Sequence, residues 1–124
     1  MILITGGVFQ GKREFALTLK KDARVVKGEQ LDAENIRQAD IVMDFHLYIR
    51  RLLTEGADAG KETERLLEGK KDLILTVAEL GCGIVPMEAF ERKYRETVGR
   101  ICCNIAKEAE AVYRVNCGIG TRIK

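Results

Sequence analysis

Three stretches of the chain carry nearly continuous apolar residues: Met1–Thr5 (MILIT), Ile41–Met43 (IVM) and the middle of Asp72–Glu79 (DLILTVAE). A run without polar alternation suits a strand covered on both faces, as in a parallel sheet. Arg24–Lys27 and Ala111–Asn116 predict further strands, and Thr121–Ile123 a last one after Gly118-Ile119-Gly120. Between the strands, residues 11–21, 30–39, 47–55 and 59–68 read as helices, the second of them short and polar. The clearest helix follows Pro86, the only proline, a residue favoured in a first helical turn. There Met87, Phe90, Tyr94, Val98, Ile101, Ile105 and Ala109 recur at spacings of three and four, one apolar stripe with charged residues opposite. Strands alternating with helices predict an α/β fold with a mostly parallel sheet. With 124 residues, a single domain over 1–124 is expected.

Composition narrows the picture. The 21 basic and 19 acidic residues leave a net charge of +2 and split almost evenly between the two halves, so charge points to no nucleic-acid partner. The apolar runs are a few residues long, too short for a membrane span. No basic segment precedes MILITGG, so it does not read as a secretory signal, and the cytoplasm is the expected compartment. The four cysteines, Cys82, Cys102, Cys103 and Cys117, form no CxxC pair, which argues against a zinc site and for reduced cysteines used as small apolar fillers.

The sharpest local signal is Gly6-Gly7-Val8-Phe9-Gln10-Gly11-Lys12-Arg13, lying between a buried strand and a helix. The spacing G-x-x-x-x-G-K is that of a phosphate-binding P-loop. Glycines let the backbone curl so that several N–H groups face one anion, and the helix N-terminus adds partial positive charge. A P-loop NTPase-like fold with Gly6 to Arg13 as the phosphate-binding residues follows as the expectation. Lys12 would neutralise the outer phosphates. The motif normally closes with Ser or Thr, whose hydroxyl binds Mg²⁺; here Arg13 stands in that place and cannot ligate a cation.

Asp44 closes the strand Ile41–Met43 at its carboxyl end, where ligands of open α/β sheets lie. It can hold Mg²⁺, or it can cap the helix that follows. Glu79 closes its strand in the same way, and could contact nucleotide or substrate or hold the Gly81–Gly83 loop. His46, the single histidine, is a candidate for direct chemistry, with a structural role as the alternative.

Taken together these residues resemble the adenosylcobinamide kinase/adenosylcobinamide-phosphate guanylyltransferase family of cobalamin biosynthesis. Met1 to Gly7 with Gly11-Lys12 looks like the family's opening, and Glu79-Leu80-Gly81-Cys82-Gly83-Ile84-Val85-Pro86 is similar to its E-[VL]-G-x-G-[IV]-V-P signature. Tyr94-Arg95 and Gly99-Arg100 fall where it has F-R-D-x-x-G-R, and Val112–Lys124 resembles its close. The resemblance implies a P-loop α/β fold and self-association. It also implies ATP or GTP and a corrinoid acceptor; with the Mg²⁺ that Asp44 can hold, Lys12, Asp44 and Glu79 are the expected catalytic residues. Family enzymes phosphorylate the aminopropanol hydroxyl of adenosylcobinamide, then pass GMP to that phosphate through a guanylyl-histidine. Asp44 stands where the family has Glu, Ala78 and Cys102 each where it often has Asn, and Arg13 where it has Ser.

Only 31 residues separate Lys12 from Asp44, where the family has a longer segment bearing its nucleophilic histidine, and this chain has no histidine before His46. The covalent guanylyl route is therefore expected to be absent or rerouted. Two readings follow: a cobinamide-type kinase, or a catalytically impaired relative that binds a nucleotide or another anion as a partner or regulatory protein.

Overall fold

A computed structural model describes residues 1–80 and 88–124. Among the described residues, six strands form one sheet in the order β2-β3-β4-β1-β5-β6. They are β1 (Ile2–Gly6), β2 (Val25–Lys27), β3 (Ile41–Met43), β4 (Ile74–Ala78), β5 (Ala111–Asn116) and β6 (Ile119–Arg122). The first five run parallel, and β6 returns antiparallel to β5. Among the described residues, four α-helices flank the sheet: α1 (Lys12–Leu19), α2 (Phe45–Thr54), α3 (Ala59–Leu67) and α4 (Ala89–Glu108). The expected mostly parallel α/β architecture is therefore what the chain adopts.

The continuous apolar runs lie where both faces of the sheet are covered. On one face, Leu3, Val42, Leu75, Val77 and Val112 pack with residues of α2, α3 and α4. On the other, Ile4, Ile41, Ile74 and Val115 pack with Ala16 of α1. Period-two alternation along each strand sends neighbouring residues to opposite cores. The α4 stripe buries Tyr94, Val98, Ile101 and Ile105, with Phe90 half-buried beside them. Its expected start at Pro86 and Met87 lies outside the described residues.

The polar helix expected over 30–39 does not form. Two 3₁₀ turns, Gly28–Gln30 and Asn35–Gln38, replace it. Asp32 Oδ1 accepts from the N–H groups of Glu34 and Asn35, and Asn35 Oδ1 accepts from Asp32 N–H. These side chains take backbone donors that a helix would need, a habit of Asp and Asn that periodicity does not register. Buried Leu31 and Ile36 then anchor the turns to the core. The last strand is Ile119–Arg122, beginning two residues before the expected Thr121. Cys117 and Gly118 both take positive φ, 51° and 77°, which makes a two-residue hairpin whose twist matches its strands. The cysteines are also less uniform than expected: among the described ones Cys102 is half-buried against the core, whereas Cys103 and Cys117 are exposed.

Gly28 has a packing reason. A methyl group on Gly28 would lie 2.2 Å from the carbonyl oxygen of Asp44, so the turn after β2 can sit beside the β3–α2 corner only without a side chain. Gly99, exposed within α4, would meet nothing within 4 Å. Gly28→Ala should destabilise the protein by about 1–3 kcal/mol through overpacking. Gly99→Ala should stabilise it by about 0.5–1 kcal/mol by helix propensity. Urea unfolding of both variants checks the pair; equal effects would contradict this account of Gly28.

Candidate functional site

β1 ends at Gly6 and the chain reaches α1 through Gly7 to Gly11. Gly6 must be glycine for contact reasons: an added methyl would lie 2.6 Å from the Val115 carbonyl oxygen and 3.5 Å from Lys12 Cγ. Gly11 holds φ 91° at the helix start, and a side chain there would meet Gly118 at 2.9 Å. That second contact belongs to a brace. The β5–β6 turn docks on the loop, with Gly118 N–H donating to the Gln10 carbonyl at 2.7 Å and Cys117 N–H to Gln10 Oε1 at 2.8 Å. The loop tip is apolar and outward: Val8 is 60% exposed and Phe9 98%, the latter with φ 60°.

Lys12 lies beneath the loop. It is buried, and its Nζ donates to the carbonyls of Gly7 at 2.7 Å and Gly6 at 3.3 Å. Burial lowers its pKa, while the charges of Asp44 and Glu79 raise it. Arg13 is exposed. Thus the loop's lysine and both strand-end acids gather at the carboxyl edge of β1, β3 and β4.

Asp44 occupies the N-cap position of α2 with a left-handed backbone, φ 57°, yet its side chain makes no cap hydrogen bond. Of the two roles expected from the sequence, capping is not the one the carboxylate performs. Its own N–H is held by Thr76 Oγ1 at 3.0 Å, and Thr76 is fully buried. Glu79 directly follows β4; its N–H donates to the Gly6 carbonyl at 2.9 Å, and its carboxylate takes a forked pair of hydrogen bonds from Arg114. The Gly81–Gly83 loop that Glu79 was expected to hold lies outside the described residues.

His46 is buried at the base of the same corner. Its Nδ1 accepts from Ala78 N–H at 3.2 Å, so the ring proton of the neutral form resides on Nε2. Burial pushes its pKa below the usual histidine range; Asp44 pulls it upward and Lys12 pushes it further down. Its carbonyl accepts from the Tyr94 hydroxyl at 3.1 Å, and burial raises that phenol to about 12. Arg50 lies over the Phe90 and Tyr94 rings, 5.2 and 5.0 Å from their centroids, and forks onto Glu91, which ties α2 to α4. Sequence reasoning missed Thr76, Arg114 and the Gln10 brace. Thr76 sits in an apolar strand and Arg114 at an exposed strand position, and neither pattern flags a site.

No group of three or more His, Cys, Asp or Glu side chains among the described residues could hold a metal by itself. Mg²⁺ needs less, because one or two carboxylates with phosphate oxygens and water suffice. A cleft of about 1230 Å³ between α3 and α4 lies at the opposite end of the sheet, bordered by Met1, Lys71 and Glu110, which precede their strands.

A parallel sheet with a glycine-rich loop between its first strand and first helix, and acids at its carboxyl edge, defines an α/β fold of the P-loop-like class. The comparisons give the family. The family described as cobinamide kinase / cobinamide phosphate guanyltransferase matches residues 29–123, and the chain belongs to it. Two relatives, each named bifunctional adenosylcobalamin biosynthesis protein CobU, come from Salmonella typhimurium and Escherichia coli. Each is 38% identical over 52 residues, which is 42% of this chain and 29% of the relative. The matched stretch thus spans less than a third of their length. No helix among the described residues is long and apolar enough to cross a membrane.

A neutral His46 carries a pH signature. Protonation would cost Nδ1 its role as acceptor for Ala78. The folded pKa is lowered, so the unfolded chain binds the proton first, and this contribution to stability is complete above about pH 6.5 and is lost as pH falls below it. In metal-free buffer, unfolding free energy should fall from pH 7 to pH 5 with a slope of at most about 1.4 kcal/mol per unit from this group. His46→Gln should flatten that slope; identical slopes would remove His46 as its source.

Proposed function

We propose that the chain binds the polyphosphate of ATP or GTP on Gly6 to Arg13 and performs the kinase half of its family's chemistry, phosphoryl transfer to the hydroxyl of a corrinoid such as adenosylcobinamide. The observation that carries this reading is the Lys12 ammonium held under the loop by the Gly6 and Gly7 carbonyls, with Asp44 and Glu79 close enough to raise its pKa. A phosphate entering the loop offers the ammonium an anionic acceptor in place of neutral carbonyls, so that an ion pair replaces ion–dipole contacts. The loop amides and the start of α1 supply the remaining donors.

Asp44 would hold Mg²⁺ together with phosphate oxygens and water: its carboxylate caps no helix and stands at the strand edge near Lys12. Mg²⁺, when bound, neutralises charge on the phosphates. Glu79, steadied by Arg114, faces the same edge. Positioning and charge stabilisation carry most of phosphoryl transfer, so a compact site can suffice. The covalent guanylyl route lies outside this proposal. The His46 lone pair accepts from Ala78 N–H and Nε2 carries the proton, so no ring nitrogen is free for attack.

One feature favours the second reading, an anion-binding relative acting as a partner protein: Arg13 in place of the hydroxyl residue, exposed and unable to ligate a cation. A titration of ATP and GTP with and without Mg²⁺ separates the two. For the kinase, binding should tighten with Mg²⁺, Lys12→Ala should weaken it about 10- to 100-fold, and Asp44→Asn should abolish the metal effect. Arg13→Ser should strengthen the Mg²⁺ dependence. Nucleotide binding indifferent to Mg²⁺ would support the partner reading, and no binding at millimolar nucleotide would remove both. Radiolabelled GTP should leave no covalent label on the protein.

A further inference from the structure

Arg114 stands on β5 opposite Thr5 of β1, one residue before that strand's end. Its Nε donates to Glu79 Oε1 at 2.9 Å and its Nη2 to Glu79 Oε2 at 3.2 Å. Because β1 lies between β4 and β5, the pair spans the carboxyl end of the strand that feeds the loop. Glu79 is tied to that strand by its backbone as well. Its N–H donates to the Gly6 carbonyl, the same oxygen that Lys12 Nζ reaches.

One carboxylate therefore stands between two cations: Arg114, which grips it, and Lys12, which feels its charge. For a lysine that serves phosphate, a loose carboxylate is a competitor. It draws the ammonium to itself and repels the anion. A bidentate guanidinium prevents both, because its planar fork fixes the two oxygens and cancels their charge. The Arg114 side chain is 52% exposed, so the pair adds little to folding stability, and orientation is the role left to it.

We propose that Arg114 is a positioning residue of the phosphate loop: by clamping Glu79 it keeps that carboxylate from capturing Lys12 and from repelling an incoming phosphate. The phosphate part of this inference rests on the nucleotide-binding reading above. Lys12 is the group that meets the phosphate, and Arg114 acts on it only through Glu79.

Two measurements on the intact chain test this. The first follows the Lys12 ammonium resonance by NMR at fixed pH without ligand. Arg114→Gln should shift it, Arg114→Lys should shift it less, and adding Glu79→Gln to Arg114→Gln should return it toward its original position. The second is affinity for inorganic triphosphate and for GTP. Arg114→Gln should weaken both about tenfold, and the double variant should recover most of the loss. A loss that Glu79→Gln does not repair would mean that Arg114 itself touches phosphate, which overturns the proposal. An unmoved Lys12 resonance in Arg114→Gln overturns it equally. If that resonance responds while the wild-type protein binds neither triphosphate nor GTP, the coupling holds and the nucleotide reading is what fails.

Discussion

The carbonyl oxygen of Gly6 is the point on which the site depends. A loop that turns its amides outward toward an anion must turn carbonyls inward, and buried carbonyls need donors. Here Gly6 receives the N–H of Glu79 and the ammonium of Lys12, and Gly7 receives the same ammonium. That arrangement fixes the loop to β4, sets the lysine under it, and carries the strand-end acid alongside. The β5–β6 turn completes the frame from the other side through Gln10. The loop is thus tied to β1, to β4 and to the β5–β6 hairpin, rather than to α1 alone.

The Asp44 corner obeys the same logic. The chain reverses from β3 into α2 within one residue, and Asp44 takes a left-handed backbone to do it. Such a conformation persists when its surroundings over-determine it. Thr76 holds the Asp44 amide, Gly28 leaves room for the Asp44 carbonyl, and His46 ties α2 to the end of β4. Tyr94 then links α2 to α4 through the His46 carbonyl. His46 is in this light a structural pin whose neutral form is part of the packing, and the carboxylate of Asp44 is left at the sheet edge without a capping duty.

The family match covers one part of the candidate site and not the other. The family match covers residues 29–123, whereas the glycine-rich loop occupies 6 to 13. The match brings in the Asp44 corner, Glu79, Arg114 and the brace from the β5–β6 turn. The loop has its own geometry: a glycine forced by contact at Gly6, a positive φ at Gly11, and a buried lysine. Arg13 and the 31 residues between Lys12 and Asp44 mark where this chain departs from what the family resemblance implies.

Much of the fold was legible because burial on both faces leaves a mark that local reading detects. MILIT, IVM and LILTV suit strands covered on both faces, and the α4 stripe suits a core-facing helix, as each is. The glycine spacing before Lys12 announced a tight turn into a helix for equally local reasons of backbone freedom. The segment 30–39 misled because Asp32 and Asn35 bond to nearby amides, a choice between near-equal alternatives that anchoring by Leu31 and Ile36 resolves. Arg114 with Glu79, Thr76 with Asp44, and Gln10 with the turn at Cys117 are 35, 32 and 107 residues apart, respectively. Local composition determined the central strands, the flanking α-helices outside 30–39 and the glycine-rich turn; strand order decided which side chains meet, since partners that far apart along the chain are brought within hydrogen-bonding distance only by the pairing of the sheet.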